Sequence, residues 1–307
     1  MATNAMTTAT SGLSSGMVTL YNKNLLKTFE PLLAHLNFGD EHPFPKNNGK
    51  TQSFRKLIPL EADTTTLTEG EPGAPETIAE VEVLATLKQY GKYVKTTDLL
   101  DLTFDRKVMM LGEQGRESID AVVRDELATC TNVIYANGKT SRATLTATDK
   151  LTTKELRKAV RALKKNHAQT FADGCYVALV TPDVVYDLQD DENFIKVSAY
   201  QMKEGILMGE VGKLFGCRIV ETTQAKVFEH AGASNADVAS VIVLGQYAYG
   251  YTSLTGSNPR VIVKPAGSAG TGDPLDQVST VGWKMDGFAV KLLQPEFAVR
   301  IECGFSA

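Results

Sequence analysis

The sequence predicts an α+β fold: one long amphipathic helix packed on antiparallel strands, with an α/β unit inserted between the helix and its strands. Three observations predict it. Apolar residues recur at Val108, Leu111, Ile119, Val123, Leu127, Cys130 and Ile134, in gaps of three and four apart from the Gly115 position, so one stripe faces one way. Period-two alternation marks 77–95 and returns over 281–303. Between about 150 and 270, short apolar runs alternate with helical patterns, the order of an α/β domain.

The helix is expected over Thr103–Ala136, roughly 45 Å long at 1.5 Å per residue. Thr103 suits the N-cap, and Asp105 suits the positive end of the helix. Glu113, Arg116, Glu117, Asp120 and Arg124 lie opposite the stripe, and the spacing lets Asp120 meet Arg116 and Arg124 on the surface. Gly112 and Gly115 inside the helix each cost about 1 kcal/mol relative to Ala. Either another element crosses closely there or the helix breaks; one helix with a close crossing is the reading taken.

Composition narrows the classes. A chain of 307 residues can bury sizeable cores in one to three domains. Its net charge of −4 and its lack of a long basic run give no footprint for nucleic acid. Cys130, Cys175, Cys217 and Cys303 lie far apart without CxxC, which fits buried thiols better than a disulfide framework or zinc. No apolar run reaches about 18 residues, and the first residues lack a basic region followed by an apolar block. Neither a membrane span nor a signal peptide is therefore expected.

In chain order, 1–16 is small and polar and reads as a mobile arm. Helical spacing from Val18 to Leu36 is interrupted by Pro31, so a kink or two short helices are expected. Residues 37–50 form a turn-rich break. Two strand-like runs follow, Thr51–Leu60 and Thr77–Lys95, joined by a polar tip with two prolines. In the second run Ala79, Val81, Val83, Ala85 and Leu87 share one face. A lone two-stranded ribbon is marginal in water, so it must pack on another molecule or back on its own domain. Asn137-Gly138 signals a tight turn. Lys150–Asn166 is a second helix, with Leu156, Ala159, Val160 and Leu163 inward and Arg157, Arg161, Lys164 and Lys165 outward. Cys175–Val180 is a buried strand, and Thr181-Pro182 opens a helix. Val241–Leu244 and Val261–Val263 are further buried runs, and the Ser/Gly-rich loop 265–274 closes the unit. Val281, Trp283 and Met285 before Asp286-Gly287, with Phe288, Val290 and Leu292 after it, read as a hairpin. A last strand carries Phe297, Val299, Ile301 and Cys303.

No chemical motif survives its structural requirements. Gly12–Gly16 matches GxSxG but follows a polar arm, where the nucleophile elbow needs a strand. Gly49-Lys50-Thr51 and Gly138-Lys139-Thr140 would need a glycine where Phe44 and Val133 stand. The glycines at 267, 270 and 272 lack the strand–loop–helix order that cradles phosphate. His35, His42, His167 and His230 have no paired spacing for zinc, and Asp187, Asp190, Asp191 and Glu192 read as a solvated helix face, missing the calcium-loop pattern. No catalytic, cofactor-binding or metal-binding residue is assigned, and no cofactor is expected.

The order of parts resembles the major capsid proteins of tailed bacteriophages, with the Hong Kong 97-type fold. Local stretches are similar too: Cys175–Pro182 before a helix, Gly209–Gly216 leading to Cys217–Thr222, and the close from Trp283 to Phe305. The resemblance covers nearly the whole chain and lies nearest the N-four-phage-like group of coat proteins. It implies an N-terminal arm at 1–40, an extended loop at 41–96, a peripheral domain at 97–149 with 275–307, and an axial domain at 150–274. It further implies a non-enzymatic subunit that self-assembles, through hexamers and pentamers, into an icosahedral shell enclosing double-stranded DNA without binding it tightly. Implied partners are a separate scaffolding protein, since the built-in scaffold of some relatives is lacking, a portal protein and a possible decoration protein. Assembly in the host bacterial cytoplasm and residence in the virion capsid are implied with them. The lysine–asparagine crosslink of some relatives is carried over to no pair here. The alternatives are an encapsulin-like cargo shell and an enzyme built on the α/β insertion.

Overall fold

The structure is a computed structural model, and it describes residues 34–58, 60, 62–64, 66, 76–97, 107–191, 210–254, 259–268 and 275–306. The polar arm expected at 1–16, most of the helical pattern expected from Val18 to Leu36, the cap at Thr103 and most of the loops at 61–75 and 265–274 lie outside the described residues.

The spine is α1, Lys107–Leu127, an unbroken helix through Gly112 and Gly115. Leu111, Ile119, Val123 and Leu127 of the expected stripe are buried. The helix ends earlier than expected. Thr129 turns its hydroxyl onto the Glu126 carbonyl at 2.7 Å, and the Arg300 guanidinium caps the Ala128 carbonyl. Beyond it, Val133–Tyr135 is a strand, β5, because β-branched and aromatic residues fit a pleated surface better than another helical turn.

Two large sheets hold all the described strands except the two-stranded ribbon at 51–57 and 80–86. The first comprises β1 (Asp40–Glu41), β4 (Lys88–Thr97), β11 (Tyr249–Ser253), β12 (Arg260–Lys264) and β13 (Val278–Leu292). The 15-residue β13 organises it, with β4 on one edge and β12 and then β11 on the other. The expected hairpin at Asp286-Gly287 is instead a β-bulge within β13, where the register shifts between Met285 and Phe288. Gly287 takes φ +79, which glycine adopts without strain. One extra residue explains why the inward positions change from 281, 283 and 285 to 288, 290 and 292. The turn-rich stretch at 37–50 also contributes, through β1 beside β11 and a bridge from Phe44 to Leu254.

The second sheet runs β5-β14-β10-β6-β8-β7, with β9 also on β10. Its strands are β6 (Tyr176–Val180), β7 (Glu210–Leu214), β8 (Cys217–Glu221), β9 (Val227–Phe228), β10 (Val238–Leu244) and β14 (Ala298–Cys303), with β5 on the edge. Every residue of β6 and β10 is buried, since both faces are covered. One face carries α2 (Thr153–Lys165) and α3 (Pro182–Gln189), with Leu156, Ala159, Val160 and Leu163 of α2 buried as expected. The other face, through Val177, Leu179, Ile242 and Leu244, shares a core with α1 and β13. Thr181 does precede α3, but its side chain makes no cap hydrogen bond.

The chain passes between the sheets from β4 through α1 to β5, from β10 to β11 and from β13 to β14, and the last two crossings bond to each other. Gly245 N–H reaches the Phe297 carbonyl at 2.8 Å, and Leu293 and Gln294 reach Ala248 at 3.0 Å. The sheets therefore do not follow a division at 150 and 274. Strands β11 and β12 lie in the β13 sheet, while β14 lies in the seven-stranded one. Val261–Val263 is likewise no buried run of the α/β unit; Val261 points inward and Ile262 outward on β12.

Candidate functional site

The ribbon is β2 (Thr51–Leu57) paired with β3 (Glu80–Thr86), in register from Thr51–Thr86 to Leu57–Glu80. The single run expected over 77–95 is two strands. Leu87 breaks it, buried among Phe44, Ala85 and Ala289, with its N–H on the Lys50 carbonyl at 2.9 Å. Below Leu87 the chain joins the β13 sheet as β4; above it the ribbon leaves the body. Lys56 still reaches Glu296 at 2.9 Å, and that contact is the main force holding the Glu296 carboxyl below its ordinary value. Beyond Lys56 the cover ends. Leu57 is 65% exposed and Ile78 74%, and Ile58 and Leu60 are exposed too; Val81 opposite Lys56 and Leu84 opposite Ser53 are exposed on the ribbon's other strand. Exposed apolar residues clustered on one element mark a surface that another molecule covers.

The spine is tied to what surrounds it by charge. Asp120, expected on the outer face, is 1% exposed. Its carboxylate accepts from the His35 backbone N–H at 2.9 Å and lies 2.6 Å from His35 Nδ1, and the Tyr249 hydroxyl donates to the His35 carbonyl. The expected pairs with Arg116 and Arg124 give way to this contact, because the chain at 34–38 covers that side of the helix. Burial, with Asp120 nearby, pushes the Tyr249 hydroxyl well above its usual range. Arg124 instead pairs with Asp125 at 3.0 Å and donates to the Gln224 carbonyl at 3.3 Å. Lys226 meets Asp125 at 3.0 Å, and Lys291 meets Glu126 at 2.7 Å. The end of α1 is thus clamped to both sheets.

The remaining buried charges are structural. Glu302, fully buried, takes a two-pronged hydrogen bond from Arg142 at 2.7 and 2.8 Å, and Arg142 stacks over Phe228. Asp187, expected on a solvated face, is buried; it accepts from Lys150 at 2.8 Å and from the Ser306 N–H and hydroxyl. Asp191 accepts from the first N–H of α2 at 3.0 Å. Burial pushes the Cys217 and Cys303 thiols up to about 12, so neither is a nucleophile near neutral pH. Among the described residues no group of three or more His, Cys, Asp or Glu is placed to hold a metal ion, and no helix is long and apolar enough to cross a membrane.

This architecture is that of solved virus shells. The capsid of Ralstonia phage GP4 matches with a TM-score of 0.70 at 14% identity, over 88% of each chain. The capsid of cyanophage P-SCSP1u matches at 0.65 and 16% identity, over 88% of this chain and 87% of that one. A virus-like particle from Pyrococcus furiosus matches at 0.52 and 13% identity, over 93% and 99%. The chain thus has the Hong Kong 97-type fold. The family model described as phage capsid protein matches residues 80–301, and the chain belongs to that family. It is a major capsid subunit, a structural rather than enzymatic protein that self-associates into the virion shell. No curated protein matches the sequence.

Proposed function

We propose that this subunit builds an icosahedral shell of hexamers and pentamers around double-stranded DNA, and that the distal ribbon holds neighbouring copies together. The apolar residues left uncovered beyond Lys56 carry this reading. The ribbon's base is anchored in its own subunit, whereas the described residues of its outer half, from Leu57 to Leu60 and from Glu76 to Glu80, are exposed. In this reading 1–40 is the arm, 41–96 the extended loop, 97–149 with 275–307 the peripheral part and 150–274 the axial part. The β13 sheet with α1 would form the core of the peripheral part, with β11 and β12 added from 150–274, and the seven-stranded sheet that of the axial part, with β5 and β14 added from outside it. A separate scaffolding protein, a portal protein and a decoration protein are proposed partners. Assembly in the host bacterial cytoplasm, and membership of the N-four-phage-like coat protein group, complete the proposal.

Deleting Glu61–Glu76 tests it. The subunit should stay soluble, keep a cooperative melt and assemble poorly. Loss of that melt would place the loop in the intramolecular core and sink the reading. The likeness to the Pyrococcus furiosus particle supports a second reading, a cargo shell without a genome; protein rather than DNA inside purified shells would favour it.

A further inference from the structure

We propose that the fold carries a built-in delay: the ribbon and the spine helix are set in place only after residues 278–303 have left the ribosome, so a growing chain cannot offer its ribbon to another copy. This rests on the ribbon joining copies and adds when it becomes able to. What carries it is where the anchors come from. The strand through which the ribbon enters the body, β4, pairs with β13 and with no other described strand. Leu87 packs on Ala289, and Lys56 meets Glu296 at 2.9 Å. Phe44, His42 and Thr252 also touch the ribbon's base: Phe44 joins the Leu87 cluster, the His42 ring meets the Phe54 ring at 5.0 Å, and the Thr252 hydroxyl donates to Gln52 at 2.5 Å. These three lie on or beside β1 and β11, and β11 is held in the sheet by β13.

The spine depends on the same stretch. Leu111, Ile119, Val123 and Leu127 share their core with Val281, Trp283, Met285 and Phe288 of β13. Lys291 holds Glu126 at 2.7 Å, and Arg300 of β14 caps the Ala128 carbonyl. The middle of the chain differs. Strands β6 to β10 pair with one another inside 176–244, and α2 and α3 pack on them from 153–189. That unit has its own partners as soon as Leu244 is made. A pairing between distant segments must first meet the entropy of closing the loop between them, and it cannot begin before both segments exist. Units of a growing chain generally fold from the N-terminal end onward. Here the middle unit can fold first, while the earlier-made ribbon and spine wait for β13 and β14. The exit tunnel of the ribosome encloses the newest residues, which lengthens the wait.

Ribosome-bound chains that carry all 307 residues test it. One form stalls directly after Ala307 and keeps 278–303 in the tunnel; the other has a long Gly/Ser linker after Ala307 that pushes them out. In the first, brief trypsin treatment should cut after Lys88 at the ribbon's base and after Arg116 and Arg124 in α1, and leave α2 uncut. In the second those cuts should be lost, and this form alone should capture free subunits. Pulsed hydrogen exchange during refolding of the released chain gives a reading without the ribosome. The Leu87 amide, bonded to the Lys50 carbonyl, should gain protection together with those of β13 and after those of β6 and β8. Resistance of α1 in the first form, cutting of α2 there, capture of free subunits by it, or Leu87 protected before β13 would each overturn the proposal. If the linker form resists trypsin but captures no subunits, the folding order stands and the ribbon's joining role fails.

Discussion

Leu127→Ala is the sharpest probe of the spine. Leu127 is fully buried at the end of α1, in the core shared by both sheets. Truncation removes three carbons, worth about 2.4 kcal/mol of transfer free energy at 0.8 per CH₂. The clamped helix end restricts collapse, and the resulting cavity brings the total into the range of about 2–5 kcal/mol. At roughly 2–4 °C per kcal/mol, a 3 kcal/mol loss lowers the melting temperature by about 6–12 °C. Urea and thermal unfolding of the isolated subunit measure it, with Glu117→Ala as the exposed control expected within about 0.5 kcal/mol. Arg124→Ala should fall between, near 1 kcal/mol, because Arg124 holds the Gln224 carbonyl rather than facing water. Equal losses at Leu127 and Glu117, or under about 1 kcal/mol at Leu127, would refute the helix register and the core built on it.

Asp120→Ala should destabilise by roughly 2–5 kcal/mol by urea unfolding, since it leaves the buried His35 N–H and ring nitrogen without an acceptor; a loss below about 0.5 would mean the carboxylate lies on the surface. Burial pushes the Asp187 carboxyl up, but hydrogen bonds from Lys150 and Ser306 outweigh it and leave the group below 3.8. Its contribution is therefore full above the unfolded value and lost as pH falls below about 4, through the depressed folded value. Amide exchange at Ser306 should accelerate in that window, and at higher pH in Ser306→Ala than in the parent; no difference between them would remove the anchor. The purified subunit should bind duplex DNA no tighter than about 10⁻⁴ M at physiological salt, by gel shift. Micromolar binding abolished by Arg161→Glu with Lys165→Glu would make the exposed face of α2 a nucleic-acid site.

What the sequence made legible was what periodicity controls. The α1 stripe from Leu111 to Leu127, the inward face of α2 and the buried run of β6 are all where spacing put them. What it hid depends on partners distant in the chain. Asp120 looks like one more outer-face charge until His35, 85 residues away, comes to lie on it. Asp187 reads as solvated until Ser306 returns beside it. The parity change across Asp286-Gly287 fits a hairpin and a bulge equally well by alternation alone. The choice is made by β4, which pairs along the strand up to Met285 and again at Phe288. The interleaving of the two sheets was likewise hidden, because local pattern says when a strand forms but not which sheet takes it. Of the site, the ribbon was legible as an element without a core of its own. Its anchorage at Leu87 and Lys56 was not, since Phe44, Ala289 and Glu296 supply it from elsewhere.

Electron microscopy of the purified full-length protein tests the central claim most directly. Regular closed shells whose subunits join through the ribbon, with DNA inside when taken from infected cells, are the predicted result. Small monodisperse particles that never close into shells, at any protein concentration or salt, would contradict it.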